Sequence, residues 1–105
     1  MNSEKALERI NYFLKNNPVM IFSNSCCLKS KMIKEEFDNL NIDYYSYDLD
    51  SDENGEDIKK VLANKIKNSS LPQIFVGGDL VGNYEETLKA KEDGILEEIL
   101  KSLNL

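Results

Sequence analysis

The four consecutive apolar residues Val19-Met20-Ile21-Phe22, set directly after Pro18, constrain the fold more than any other feature of the chain. A strand with one face in water alternates apolar and polar residues, whereas an unbroken apolar run suits a strand covered on both faces. A sheet built on this run therefore needs helices on both sides, and the flanking sequence supplies them. Ala6, Ile10, Phe13 and Leu14 recur at helical spacing, which predicts a helix over Ser3 to Asn16, ended by Asn17-Pro18. From Leu28 the period is helical again, with Leu28, Met32, Phe37 and Leu40 on or near one face and an end by Asn41. Tyr45 and Tyr47 alternate with Ser46 and Asp48, which predicts a second strand over Tyr44 to Asp48.

Ile58, Val61, Leu62 and Ile66 mark a third helix. Gln73-Ile74-Phe75-Val76 reads as a strand after Pro72, Gly77-Gly78 as a hairpin turn whose two positions tolerate φ > 0, and Leu80-Val81 as the returning strand. A further helix starts at Glu85 and runs to Lys91, Gly94 breaks it, and Ile95 to Leu103 is helical in spacing. Two strands joined through a helix are parallel with a right-handed crossover, and the Gly-Gly hairpin makes the last pair antiparallel. The expected architecture is one α/β domain over residues 1–105, a four-stranded mixed sheet flanked by helices, and no linker or repeat divides it.

Composition then removes whole classes of function. Thirteen basic against nineteen acidic residues give a net charge of −6, the wrong sign for neutralising phosphates, so no nucleic-acid partner is expected. The apolar runs are far too short to span a bilayer, and Met1 to Arg9 is charged with no apolar stretch, so the expectation is no membrane partner, no secretory leader and a cytosolic address. The acidic stretch Asp48 to Gly55 lacks the glutamate an EF-hand needs twelve positions on, where Lys59 stands, and reads as a solvated loop with a helix cap. Histidine is absent, which removes every Ser-His and Cys-His pair.

The two cysteines, Cys26 and Cys27, are neighbours. Adjacent Cα atoms lie about 3.8 Å apart, below the usual disulfide range of about 4.4–6.8 Å, so the pair cannot make an ordinary bridge. Both fall between the carboxyl end of a buried strand and the start of a helix, where ligands of open α/β sheets bind and where unpaired N–H groups stabilise a thiolate. Lys29, Lys31 and Lys34 follow with no acid before Glu35, a local excess of three positive charges in an acidic chain. Position alone leaves two readings open, a nucleophilic thiolate or a small core residue beside a solvated helix.

The segment Ile21-Phe22-Ser23-Asn24-Ser25-Cys26-Cys27-Leu28-Lys29-Ser30-Lys31 resembles the active-site segment of glutaredoxins, which carries Cys-x-x-Cys or Cys-x-x-Ser after an apolar strand. Ser70-Leu71-Pro72-Gln73-Ile74-Phe75-Val76 is similar to the family's cis-proline segment, and Val81-Gly82-Asn83-Tyr84-Glu85-Glu86 to its Gly-Gly-x-Asp-Asp segment. The resemblance covers residues 18 to 100 and implies a thioredoxin-like fold and a glutathione site. It makes Cys27 the catalytic position and Ser30 the place where dithiol members carry a second cysteine. It assigns glutathione contacts to Asn24, Lys59, Leu71, Pro72, Glu85 and Glu86. Departures are Asn24 in place of the family lysine, Asn83 in place of a glycine, and Glu85 in place of aspartate.

The implied activity is reduction of protein–glutathione mixed disulfides by a monothiol route through Cys27, with glutathione as co-substrate, glutathionylated proteins as partners and a monomeric chain. A second reading is a [2Fe-2S] cluster carrier, a dimer using Cys27 and glutathione from each side. The Cys-Gly-Phe-Ser signature of dedicated carriers is not matched, because Leu28 and Lys29 stand in place of Gly and Phe. A third, motivated by Asn24 and Asn83, is an adaptor with the same fold and weak catalysis.

Overall fold

The computed structural model describes residues 3–66 and 70–104, with the side chains of residues 65 and 66 left undescribed. In chain order the elements are α1 (Ser3–Asn16), β1 (Val19–Ser23), α2 (Leu28–Asn39), β2 (Tyr45–Asp48), a 3-10 turn (Leu49–Ser51), α3 (Gly55–Ile66), β3 (Gln73–Val76), β4 (Asp79–Gly82), α4 (Tyr84–Glu92) and α5 (Ile95–Ser102). The sheet order is β2-β1-β3-β4. β1 pairs parallel with β2 and antiparallel with β3, and β3 pairs antiparallel with β4. This is the four-stranded mixed sheet expected from the sequence, in a thioredoxin-like fold. Gly77 and Gly78 both take positive φ, 63° and 84°, in the hairpin. Among the described residues no helix is long and apolar enough to cross a membrane.

β1 is buried along its whole length because its alternate side chains enter two different cores. Met20 and Phe22 join Ala6, Ile10 and Phe13 of α1, Ile58 and Leu62 of α3, and Phe75 on one face. Val19 and Ile21 join Ile33 and Phe37 of α2, Ile74, Val76, and Leu96 of α5 on the other. The register of β1 against β3 puts Ile21 opposite Ile74 and Met20 opposite Phe75, so both strands obey one alternation.

Two expectations are corrected. The face of α2 turned to the sheet carries Ser30, Ile33 and Phe37, not Leu28, Met32 and Leu40, and Leu28 is 70% exposed. Spacings of three and four residues in this helix support either stripe, and the one with a serine in it is the buried one. Tyr44 lies just outside β2 and sets its ring edge-on to Phe37 of α2. The side chain of Ile66, expected on the inner face of α3, lies outside the described residues.

Candidate active site

Four residues, Asn24 to Cys27, join the carboxyl end of β1 to the start of α2, and every backbone N–H among them has an acceptor inside the chain. Asn24 N donates to Ser30 Oγ (3.3 Å), Ser25 N to Asp50 Oδ1 (2.9 Å), Cys26 N to Asn24 Oδ1 (3.1 Å) and Cys27 N to Asn24 O (3.0 Å). The Ser25 hydroxyl donates to the second oxygen of the Asp50 carboxylate. Cys27 has extended backbone angles (φ −91°, ψ 122°) and caps α2, its carbonyl accepting from Lys31 N at 3.2 Å. Its sulfur thereby stands at the positive end of the helix. Cys27 is half-buried and Cys26 exposed, and both are free thiols.

The Cys27 thiol faces the carbonyl oxygen of Leu71 at 3.7 Å. The Leu71–Pro72 peptide is cis, and Pro72 is buried at the entry to β3. The thiol is held below its ordinary pKa chiefly by the backbone N–H of Ser30, with the Ser30 hydroxyl and then Lys29's N–H and charge adding to the effect against the opposing cost of burial. Ser30 is 1% exposed, and its oxygen already accepts from Asn24 N, so its own hydrogen is available to the sulfur. A lowered thiol pKa enlarges the thiolate fraction at neutral pH, and the stabilisation it lends the folded state is lost as pH falls through that lowered value. Ser30→Ala is therefore expected to move the midpoint of the pH dependence of Cys27 alkylation upward. An unchanged midpoint would show that the hydroxyl does not stabilise the thiolate.

The lysine excess beside the cysteines is largely cancelled by tertiary contacts. Lys29 pairs with Glu85 of α4, and Lys34 with Asp48 at 3.3 Å. Lys31 stays exposed, and the thiolate is stabilised mainly by the helix terminus and a hydroxyl. The acidic loop has a comparable internal role. Asp48 accepts from Ser23 and Lys34, Asp50 from Ser25, and Asp52 from Tyr47, Asn54 N (2.8 Å) and Arg9 (3.0 Å). At Gly55 an added Cβ would meet Leu49 O at 1.7 Å, so only glycine lets α3 start this close beneath the loop.

Of the residues assigned to catalysis or to glutathione, Cys27 and Ser30 of the first set and Asn24, Leu71 and Pro72 of the second come together around the thiol. Glu85 and Glu86 open α4, tied to the start of α2 by the Lys29–Glu85 pair. Glu86 and Asn83 form a capping box, Glu86 N donating to Asn83 Oδ1 (3.0 Å) and Asn83 N to Glu86 Oε1 (3.1 Å). Asn83, a departure from the family pattern, is thus the cap of α4, a role that the Asn-x-x-Glu spacing signals. Lys59 sits half-buried on α3 without an ion pair among the described residues. Ser25 and Asp50 were not singled out by the sequence, because nothing local ties a loop after β2 to one after β1.

A thioredoxin-like sheet with a lowered thiol at a helix start, set against a cis-proline, defines a thiol-chemistry site. The family model for glutaredoxin matches residues 19–81. Glutaredoxin-1 of Rhizophagus irregularis is 33% identical over 96 residues, 91% of this chain and 95% of that protein. Monothiol glutaredoxin-S6 of Oryza sativa subsp. japonica is 34% identical over 85 residues, 81% of this chain and 65% of that protein. Among solved structures, the buckwheat glutaredoxin–glutathione complex superposes with a TM-score of 0.92 at 26% identity, covering 95% of this chain and 91% of that one. The chain belongs to the glutaredoxin family of thiol oxidoreductases.

Proposed function

We propose that the chain, as one glutaredoxin-like domain, reduces protein–glutathione mixed disulfides by a monothiol mechanism. The observation that carries this is the Cys27 thiol, lowered by the Ser30 N–H and hydroxyl, with a serine where a second cysteine would otherwise resolve the disulfide. Cys27 thiolate attacks the glutathionyl sulfur, the mixed disulfide breaks, and the substrate protein leaves as a thiolate that takes up a proton. A second glutathione, as thiolate, then attacks the glutathionyl sulfur of that Cys27–glutathione disulfide; the bond to Cys27 breaks, Cys27 leaves as thiolate and the two glutathiones depart joined as glutathione disulfide. The net reaction exchanges one disulfide for another: the substrate sulfur is reduced to a thiol while the incoming glutathione thiol is oxidised, joined to the glutathionyl group that the substrate had carried.

In this reading the cysteinyl part of glutathione pairs with the backbone of Leu71, which precedes the β3 ladder, in the manner of an added strand beside Pro72. The γ-glutamyl end meets the start of α4, its ammonium taking Glu85 from Lys29 and Glu86 adding charge. Asn24 Nδ2 and Lys59 face the glycine carboxylate. The capture of a glutathione moiety by a glutaredoxin of this shape is supported by the buckwheat complex. Free thiols suit a reducing compartment such as the cytosol, and a monomer suffices for this chemistry.

The test is glutathione-dependent reduction of a glutathionylated peptide by the purified chain. Turnover with release of glutathione disulfide is expected. Absence of turnover would overturn the reading in favour of an adaptor. It would instead favour [2Fe-2S] carriage if an anaerobic preparation is brown and loses its visible absorbance when glutathione is removed.

A further inference from the structure

Two adjacent thiols share one turn, yet their surroundings differ in a way that Asp50 dictates. Asp50 sits in the 3-10 turn after β2 and grips Ser25 twice, through the backbone N–H (2.9 Å) and through the hydroxyl. The Ser25 hydroxyl lies 3.9 Å from Cys26 Sγ. Because its hydrogen is committed to the carboxylate, that hydroxyl has no donor to offer the Cys26 sulfur. Cys27 meets the opposite chemistry, donors from Ser30 on a turn whose path the same grip fixes.

We propose that Asp50, acting through Ser25, is the positioning residue that makes Cys27 rather than the adjacent Cys26 the nucleophile. The inference rests on the reading of Cys27 as the reactive thiol. It concerns the thiols alone, so its test needs no glutathione and stands or falls apart from the reduction assay.

The experiment is labelling with sub-stoichiometric iodoacetamide at neutral pH, with the Cys27-to-Cys26 partition read by tandem mass spectrometry. The wild-type chain is expected to label at Cys27. Asp50→Ala and Ser25→Ala should each move the partition toward Cys26 by about tenfold, the bias expected from one charge-assisted hydrogen bond. Asp50→Asn, whose amide oxygen can still accept from Ser25, should recover part of the preference. A wild-type partition in Asp50→Ala with native circular dichroism would overturn the proposal. If Asp50→Ala fails to fold, a wild-type partition in the smaller change Ser25→Ala would overturn it equally. A wild-type chain that labels both cysteines alike would show that no selection exists to explain.

Discussion

Cys27→Ser is expected to abolish glutathione-dependent reduction of a glutathionylated peptide, with a loss of at least about a thousandfold, the scale on which removal of a covalent nucleophile acts. A serine hydroxyl at the same N-cap receives the same donors from Ser30, but its pKa is far too high for them to yield an anion at neutral pH, and oxygen does not exchange with disulfides. Cys26→Ser should keep the rate within about a factor of three, because its side chain is exposed and it is Cys27 that meets the Ser30 donors and Leu71. Mass spectrometry of the Cys26→Ser protein treated with glutathione disulfide should find one added glutathione, on Cys27. Loss of activity in Cys26→Ser with retention in Cys27→Ser would reverse the assignment and with it the meaning of the turn geometry.

Phe22→Ala should cost about 3–5 kcal/mol, a large part of the roughly 5–15 kcal/mol that holds a domain of this size together. The ring is fully buried in the last apolar position of β1, edge-on to Phe75 at 5.6 Å and to Phe13 at 6.1 Å. Its loss opens a cavity between α1, α3 and the sheet that neighbouring aromatic rings cannot close without leaving their own contacts. Urea unfolding should show the drop, and Tyr12→Ala, at a residue 65% exposed, should move stability by only about 0.5 kcal/mol. A small loss at Phe22 would contradict the two-sided burial of β1. Because Ser23 and the turn that carries Cys27 follow Phe22 directly, partial loss of activity should accompany the loss of stability.

The covered β1, the parallel crossover, the Gly77-Gly78 hairpin and the placing of Cys27 at a helix start were legible in the sequence, because each follows from local periodicity and turn chemistry over a few residues. The family motifs carried Ser30, Leu71 and Pro72 to the thiol as well. Which stripe of α2 is buried was not legible, since both stripes fit a helical period and only docking against Ile21 and Ile74 chooses Ser30, Ile33 and Phe37. The electrostatics of the site also belong to the tertiary structure. Three lysines within six residues suggest a cationic cradle for a thiolate, but Glu85 and Asp48, remote in sequence, neutralise two of them.

The acidic loop shows the same division. By itself it reads as a solvated stretch. Folded, its carboxylates fasten Ser23, Ser25 and Tyr47, and so set the turn that presents the sulfur. The sequence alone determined the elements and where the thiols lie, because helix and strand periods and turn residues act over short spans. Only the tertiary structure decided which charges meet and how the thiol is lowered, because hydrogen bonds and ion pairs act across space between residues dozens of positions apart.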